Sequence, residues 1–116
     1  MPFNHNGIVM VNLEGEITYA NSIFCDHMGT TLNQVLGISC FQFVFPRDLE
    51  IAKKLLEANK LPNPKPFAFQ LQHTDHSPVS VNIQGTPLTT PAGDVYGVLA
   101  TIIFLNKSVS PQSSAV

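Results

Sequence analysis

Residues 7–21 read Gly7-Ile8-Val9-Met10-Val11-Asn12-Leu13-Glu14-Gly15-Glu16-Ile17-Thr18-Tyr19-Ala20-Asn21, and their reading decides the fold. The run ending at Asn12 and the run from Glu16 through Ala20 are rich in β-branched and aromatic residues, with only Leu13-Glu14-Gly15 between them. So short a connection, with a glycine able to take positive φ, makes a tight antiparallel turn. Asn21 or Ser22 then offers a helix N-cap ahead of Ile23-Phe24-Cys25-Asp26-His27-Met28, and Gly29 stops that helix. The chain opens on a hairpin followed at once by a helix.

Outward from that opening, Thr31 caps a second short helix over residues 32–36, which Gly37 stops. A third helix carries the clearest signals. Pro46 opens it, Asp48 and Glu50 sit in a first turn where the helix dipole favours acid, and Lys53 and Lys54 lie further along. Leu49, Ala52 and Leu56 recur at helical spacing, with Ile51 and Leu55 widening the stripe. Leu61-Pro62-Asn63-Pro64-Lys65-Pro66 breaks any helix or central strand. Beyond it, Phe67, Phe69 and Leu71 alternate with Ala68, Gln70 and Gln72, while Val79, Val81 and Ile83 alternate with Ser80, Asn82 and Gln84. Each run reads as a half-buried strand with one polar face, the two joined by a turn at Thr74-Asp75-His76-Ser77. His76 takes the turn position usually given to glycine, since His is among the residues that tolerate positive φ. A turn at Thr90-Pro91-Ala92-Gly93-Asp94 leads to the last strand, residues 95–105, apolar at nearly every position. Residues 1–6 form a leading segment, 7–105 the domain, and 106–116 a small, polar linker stub. Strands, a helical middle and further strands make an α+β fold, an antiparallel sheet with helices on one face.

The composition agrees with one such domain. The chain has 116 residues, 44% of them hydrophobic and 12% charged, with a net charge of −2. That is enough for one buried core and too apolar for a disordered tail. Mean hydropathy is +0.14, which implies surface that other protein covers. Six Lys and Arg against eight Asp and Glu, without a basic run, exclude a phosphate-tracking surface for nucleic acid. The longest apolar run, residues 97–105, is about half of what a membrane-spanning helix needs, so no membrane insertion is expected. Two cysteines, Cys25 and Cys40, read as free thiols in a reducing, cytoplasmic compartment. No nucleophile motif, phosphate-cradling glycine loop or H-E-x-x-H is present.

Several stretches, in their order and spacing, carry a resemblance. Gly7-Ile8-Val9-Met10-Val11-Asn12, Gly15-Glu16-Ile17-Thr18-Tyr19-Ala20-Asn21, Met28-Gly29, Val35-Leu36-Gly37 and Phe45-Pro46-Arg47-Asp48 come first. Asp75-His76-Ser77-Pro78-Val79-Ser80-Val81 and Gly93-Asp94-Val95-Tyr96-Gly97 follow. Together they resemble the successive landmarks of a PAS domain over about residues 7–105. The resemblance implies a five-stranded sheet with helices over one face, enclosing a core or a small ligand cavity. It also implies a sensory or protein-interaction module rather than an enzyme. Its effector in the same parent chain would be a histidine kinase, a cyclic-dinucleotide enzyme or a transcription regulator. The family often closes its last strand with Asp-Ile-Thr, whereas this chain reads Phe104-Leu105-Asn106-Lys107-Ser108, which leaves the relay to such an effector open.

The family's cofactors are not expected here. Gly37-Ile38-Ser39-Cys40 resembles the start of the G-x-N-C-R-F-L-Q motif that places a cysteine over flavin in the light-sensing LOV branch. Ser39 stands in place of the Asn, Phe41 in place of the Arg, and no Leu-Gln follows in register. The positions that hydrogen-bond the flavin ring in that branch align with Leu71, Val81 and Leu99. Burying the ring's donors and acceptors unpaired costs roughly 1–3 kcal/mol each. Haem-binding members carry an axial His on the long helix, and residues 48–59 contain none. His73-Thr74-Asp75-His76 falls short of a closed metal site.

The interior expected from alternation is apolar. Phe67, Phe69, Leu71, Val79, Val81 and Ile83 face the helices, joined by Leu99 and Thr101 from the last strand. Opposite them come Met28, Leu36, Cys40, Leu49, Ala52 and Leu56. These residues either fill the core or line an oily pocket for a lipid-like or aromatic ligand. The other alternation of the last strand, Tyr96, Val98, Ala100, Ile102 and Phe104, is then expected outward, extended by Ile8 and Met10. An apolar patch of that kind is covered by a second copy in a homodimer, or by the leading segment with Phe3. A cone-shaped α+β enzyme of the ketosteroid-isomerase kind is the alternative. That fold starts with its helices and needs an acid or base inside, whereas this chain starts with a hairpin.

Overall fold

The computed structural model of the chain describes residues 6–58 and 67–105. The opening hairpin forms as read, from β1 (Gly7–Asn12) and β2 (Ile17–Ala20). Its turn is closed by Asn12, whose Oδ1 accepts from the N–H of Glu14 and of Glu16 at 3.0 and 2.9 Å. Gly15 lies there at φ +86°, a region that L side chains rarely adopt. Asn21 then does two things with one side chain. Its Oδ1 accepts from the Phe24 N–H, capping α1 (Ser22–Met28), and from the Ile8 N–H of β1, both at 3.0 Å. The first helix is thereby pinned to the first strand.

The second helix, α2 (Leu32–Val35), stops one residue before the expected end. Val35 is fully buried, while Leu36 leaves the helix with ψ 128° and is 44% exposed. Leu36 is therefore not an interior residue, which corrects the expectation. A 3-10 turn, Cys40–Phe43, follows, with Ser39 Oγ accepting from the Phe41 N–H at 3.2 Å. Pro46 opens a further 3-10 turn, Pro46–Asp48, that leads into α3 (Leu49–Ala58).

The sheet has five strands in the order β2-β1-β5-β4-β3, adding β3 (Phe67–Gln72), β4 (Pro78–Thr89) and β5 (Val95–Phe104). All neighbours are antiparallel. Strand β4 runs beyond the alternating stretch and through Pro87. Among the described residues β3 pairs with β4 only as far as Ile83, and proline is tolerated where a strand position needs no donor. His76 takes φ 75° in the β3–β4 turn, as expected.

Both edges of the sheet are covered by one stretch, residues 37–48. Along β2, the Ile17 N–H donates to Ile38 O, the Gly37 N–H to Ile17 O, and the Cys40 N–H to Gly15 O, at 2.8–2.9 Å. Along β3, the Phe45 N–H donates to Gln70 O at 2.9 Å, and the Gln70 N–H to Asp48 Oδ2 at 2.8 Å. Unpaired edge groups would otherwise template pairing with another chain.

The phase of β5 is opposite to the one expected. Val98 pairs with Val11, Ala100 with Val9, Leu99 with Met10 and Thr101 with Ile8. Paired residues share a face, and Val9 and Val11 are buried on the helix side. Val98, Ala100, Ile102 and Phe104 therefore point toward the helices, and Leu99, Thr101 and the 43%-exposed Ile103 point away. A strand apolar on both faces offers no alternation from which to read the phase. Ile8 and Met10 share the outer face with their partners Thr101 and Leu99, while Tyr96 is exposed near the start of β5, beside the irregularity in its pairing with β4.

Asn21→Ala should lower stability by about 1–3 kcal/mol, because it removes the cap of α1 and leaves the Ile8 N–H without its acceptor. Asn21→Asp, which keeps the acceptor, should lose less. Urea unfolding of both variants checks this; an unchanged midpoint for Asn21→Ala would contradict it.

Candidate functional site

A cavity of about 80 Å³ lies between the sheet and the helical layer. The sheet supplies its floor: Val9 and Val11 from β1, Ile17 from β2, Leu71 from β3, Ile83 and Gly85 from β4, and Val98, Ala100 and Ile102 from β5. Its roof is Phe24 of α1, Cys40, Phe41, Phe43 and Val44 of the covering stretch, and Ala52 and Leu56 of α3. The void has a local cause. Gly85 and Ala100 are paired in the centre of the sheet, and Ala52 is the small residue of the helix stripe. Ala100 remains half-buried although it faces the helices and has strands on both sides, so its residual surface belongs to the cavity.

Of the residues expected inside, Cys40, Ala52, Leu56, Leu71 and Ile83 come together around this cavity. Met28 and Val81 are fully buried in the packed core without lining it, and Leu49 packs against that core half-buried. Leu36, Leu99 and Thr101 lie outside it, for the reasons given above. The side chains of Phe67 and Phe69 lie outside the described residues. Sequence reading missed the β1 face and the aromatic residues of the 3-10 turn. Val9 and Val11 had a signal, since they alternate with the outward Ile8 and Met10.

The chemistry of the lining is uniform. No charged side chain is among the described lining residues, and the Cys40 thiol is the one polar side-chain group. Burial pushes that thiol from an ordinary 9.0 up to about 11, against a smaller lowering by its own backbone N–H. Cys25, free and buried, is also raised, by burial first and by the neighbouring Asp26 charge second. The histidines are elsewhere. His27 stacks on Phe104 with ring centroids 3.9 Å apart, and His73 Nδ1 accepts from the Asp75 N–H at 2.9 Å. Asp75 Oδ1 accepts from the Ser77 hydroxyl at 2.6 Å and the Ser77 N–H at 2.9 Å, which holds its carboxyl below the usual range. The turn docks on the end of α1, where Thr74 donates to Met28 O through its N–H and to Gly29 O through its hydroxyl. None of these polar groups is among the described residues that line the cavity.

The described lining is poor in the contacts that a flavin ring or a haem iron takes from a protein. A flavin ring needs hydrogen-bond partners along its edge, and the β5 residues that face inward, Val98 and Ala100, are as apolar as the outward Leu99. No described lining residue could serve as an axial ligand to haem in the manner of His, and α3 carries none.

A five-stranded antiparallel sheet closed over an apolar cavity by short helices defines a small α+β module of the cavity-bearing kind. The PAS domain family model matches residues 5–106, and the chain belongs to that family. PAS domains are generally sensory or interaction modules rather than enzymes. Among solved structures, the chain is similar to the PAS domain of a protein from Colwellia psychrerythraea, with 19% identity, coverage of 90% of this chain and 89% of that one, and a TM-score of 0.82. It is also similar to the PAS domain of an HTR-like protein from Haloarcula marismortui, with 22% identity, 86% and 81% coverage, and a TM-score of 0.72. The Rhodobacter sphaeroides LOV protein is a third, at 18% identity, 89% and 61% coverage, and a TM-score of 0.76. A comparison with curated protein sequences gives no match.

Iodoacetamide at pH 8 should alkylate Cys40 about 100-fold more slowly in the folded protein than an ordinary thiol, from the thiolate fraction alone. With the folded pKa raised, the thiol's contribution to stability is intact below about pH 9 and is lost as pH rises toward about 11. Alkylation at the unfolded rate would contradict the burial argument.

Proposed function

We propose that this chain is the sensory and interaction domain of a multidomain signalling protein, taking a small apolar ligand in the cavity and pairing with a second copy through the outer face of the sheet. The observation that carries the reading is the cavity itself, bounded by apolar side chains of the central core. Apolar voids stay dry and gain by taking up a non-polar molecule. No acid or base is among the described lining residues, so the ketosteroid-isomerase alternative finds no support there. Signal output falls to an effector domain of the same parent chain, working in the cytoplasm. No helix among the described residues is long and apolar enough to cross a membrane.

The pairing surface is redrawn by the phase of β5. Tyr19, Met10 and Leu99 lie in one row across β2, β1 and β5, and Ile8 and the exposed Ile103 widen it. Gln84 and Thr86 of β4 bound the row with polar groups. Contiguous apolar patches beyond a few hundred Å² are rarely left bare, and isologous pairing is the commonest cover.

Native mass spectrometry should show a dimer that Leu99→Glu converts to a folded monomer. Ile102→Glu, on the inner face of the same strand, should instead unfold the domain, because it buries an unpaired carboxylate. A monomeric wild type at high concentration, or a folded Ile102→Glu, would contradict this assignment of faces.

A further inference from the structure

The size and the chemistry of the cavity together restrict its ligand. We infer that it admits a non-polar molecule of dissolved-gas or short-hydrocarbon size, seated over the Gly85–Ala100 pair; this rests on the ligand-site reading above. Engineered cavities of about 150 Å³ lined by Leu, Ile and Phe stay dry and take up benzene or xenon. This one, at about 80 Å³, has roughly half that room, which favours one large atom or a few carbons over an aromatic ring or a lipid chain.

The limit is built into the sheet. Ala100 is paired on one side with Val9 and on the other with Gly85, so the floor sits in the hydrogen-bonded centre of the sheet and cannot sink to make room. The walls beside it, Val98 and Ile102, are each 3% exposed and tightly packed. Enlargement would have to come from above. The lining residues of the roof that keep some solvent exposure are Cys40, Phe41, Phe43 and Leu56, so a ligand arrives between the 3-10 turn and α3. Over the hairpin turn, Phe41 and Leu56 close down onto Gly15, where an added Cβ would stand 3.2 Å from the Phe41 ring and 3.4 Å from Leu56.

Polarity restricts the ligand further. A molecule carrying hydroxyl, amide or carboxylate groups would surrender its hydrogen bonds to water and find only the protonated Cys40 thiol in exchange. Water itself needs two to four polar partners to stay in such a void, and these are absent among the described lining residues. The discrimination is therefore by volume and by the absence of partners, not by a specific contact.

Xenon and benzene are the probes that test this, each titrated into the methyl-labelled full chain and followed by NMR. Xenon should shift the methyl signals of Val98, Ile102 and Leu71 saturably, and benzene should bind at least 10-fold more weakly. Ala100→Leu, which fills the floor, should abolish the xenon response. Should that variant fail to fold, Ala52→Val narrows the void from the helix side and should weaken the response. Benzene binding as well as xenon would overturn the size limit while leaving the ligand site standing. Neither probe reaching these methyl groups would overturn the ligand site as well.

Discussion

Backbone hydrogen bonds from residues 37–48 to both outer strands of the sheet are the constraint on which the rest of the structure depends. Strands β2 and β3 stand at opposite edges of a five-stranded sheet, yet the same short stretch pairs with each of them. A chain of that length can touch both edges only if the sheet curls toward it. The curl makes a concave inner face, and the stretch that imposes it also supplies much of the roof, through Cys40, Phe41, Phe43 and Val44. Edge protection, curvature and cavity thus follow from one set of contacts. The Asp48 carboxylate matters here beyond its place at the start of α3, since it accepts the Gln70 N–H that β3 would otherwise leave open.

The cavity then depends on what fills the curl. Valine, isoleucine and leucine occupy most inward positions, and their packing accounts for a continuous core from Val9 to Ile102. Only where Gly85, Ala100 and Ala52 oppose one another does the volume fall short. Among the described residues the lining offers a bound molecule apolar contact and the Cys40 thiol, and no charged group.

Much of this fold was legible in the sequence because local signals agreed. The hairpin announced itself through two β-branched runs around Gly15, and the alternation in β3 and β4 marked their polar faces. Strand β5 could not be oriented from its own residues, since both of its faces are apolar; only its pairing with Val9 and Val11 decides the matter. That one ambiguity exchanged the inner and outer sets, sending Leu99 and Thr101 out and Val98, Ala100 and Ile102 in. The covering stretch was harder still. Its 3-10 turns have no readable period, and its decisive hydrogen bonds are made by backbone groups that side-chain patterns do not report. Gly85 was invisible for a simpler reason, as a residue without a side chain marks no face. Within the candidate site, helix spacing found Ala52 and Leu56, and strand alternation found Leu71 and Ile83.

The most direct measurement is amide hydrogen exchange in Asp48→Ala against wild type. If residues 37–48 act as one strap, loss of the Asp48 contact at the β3 edge should speed exchange at Gln70 and Phe45. It should also speed exchange at Ile17, Gly37 and Cys40, which lie along the far edge. Faster exchange confined to Gln70 and Phe45, with the β2 edge unchanged, would contradict the account: the two edges would then be covered independently, and the curl of the sheet would need another cause.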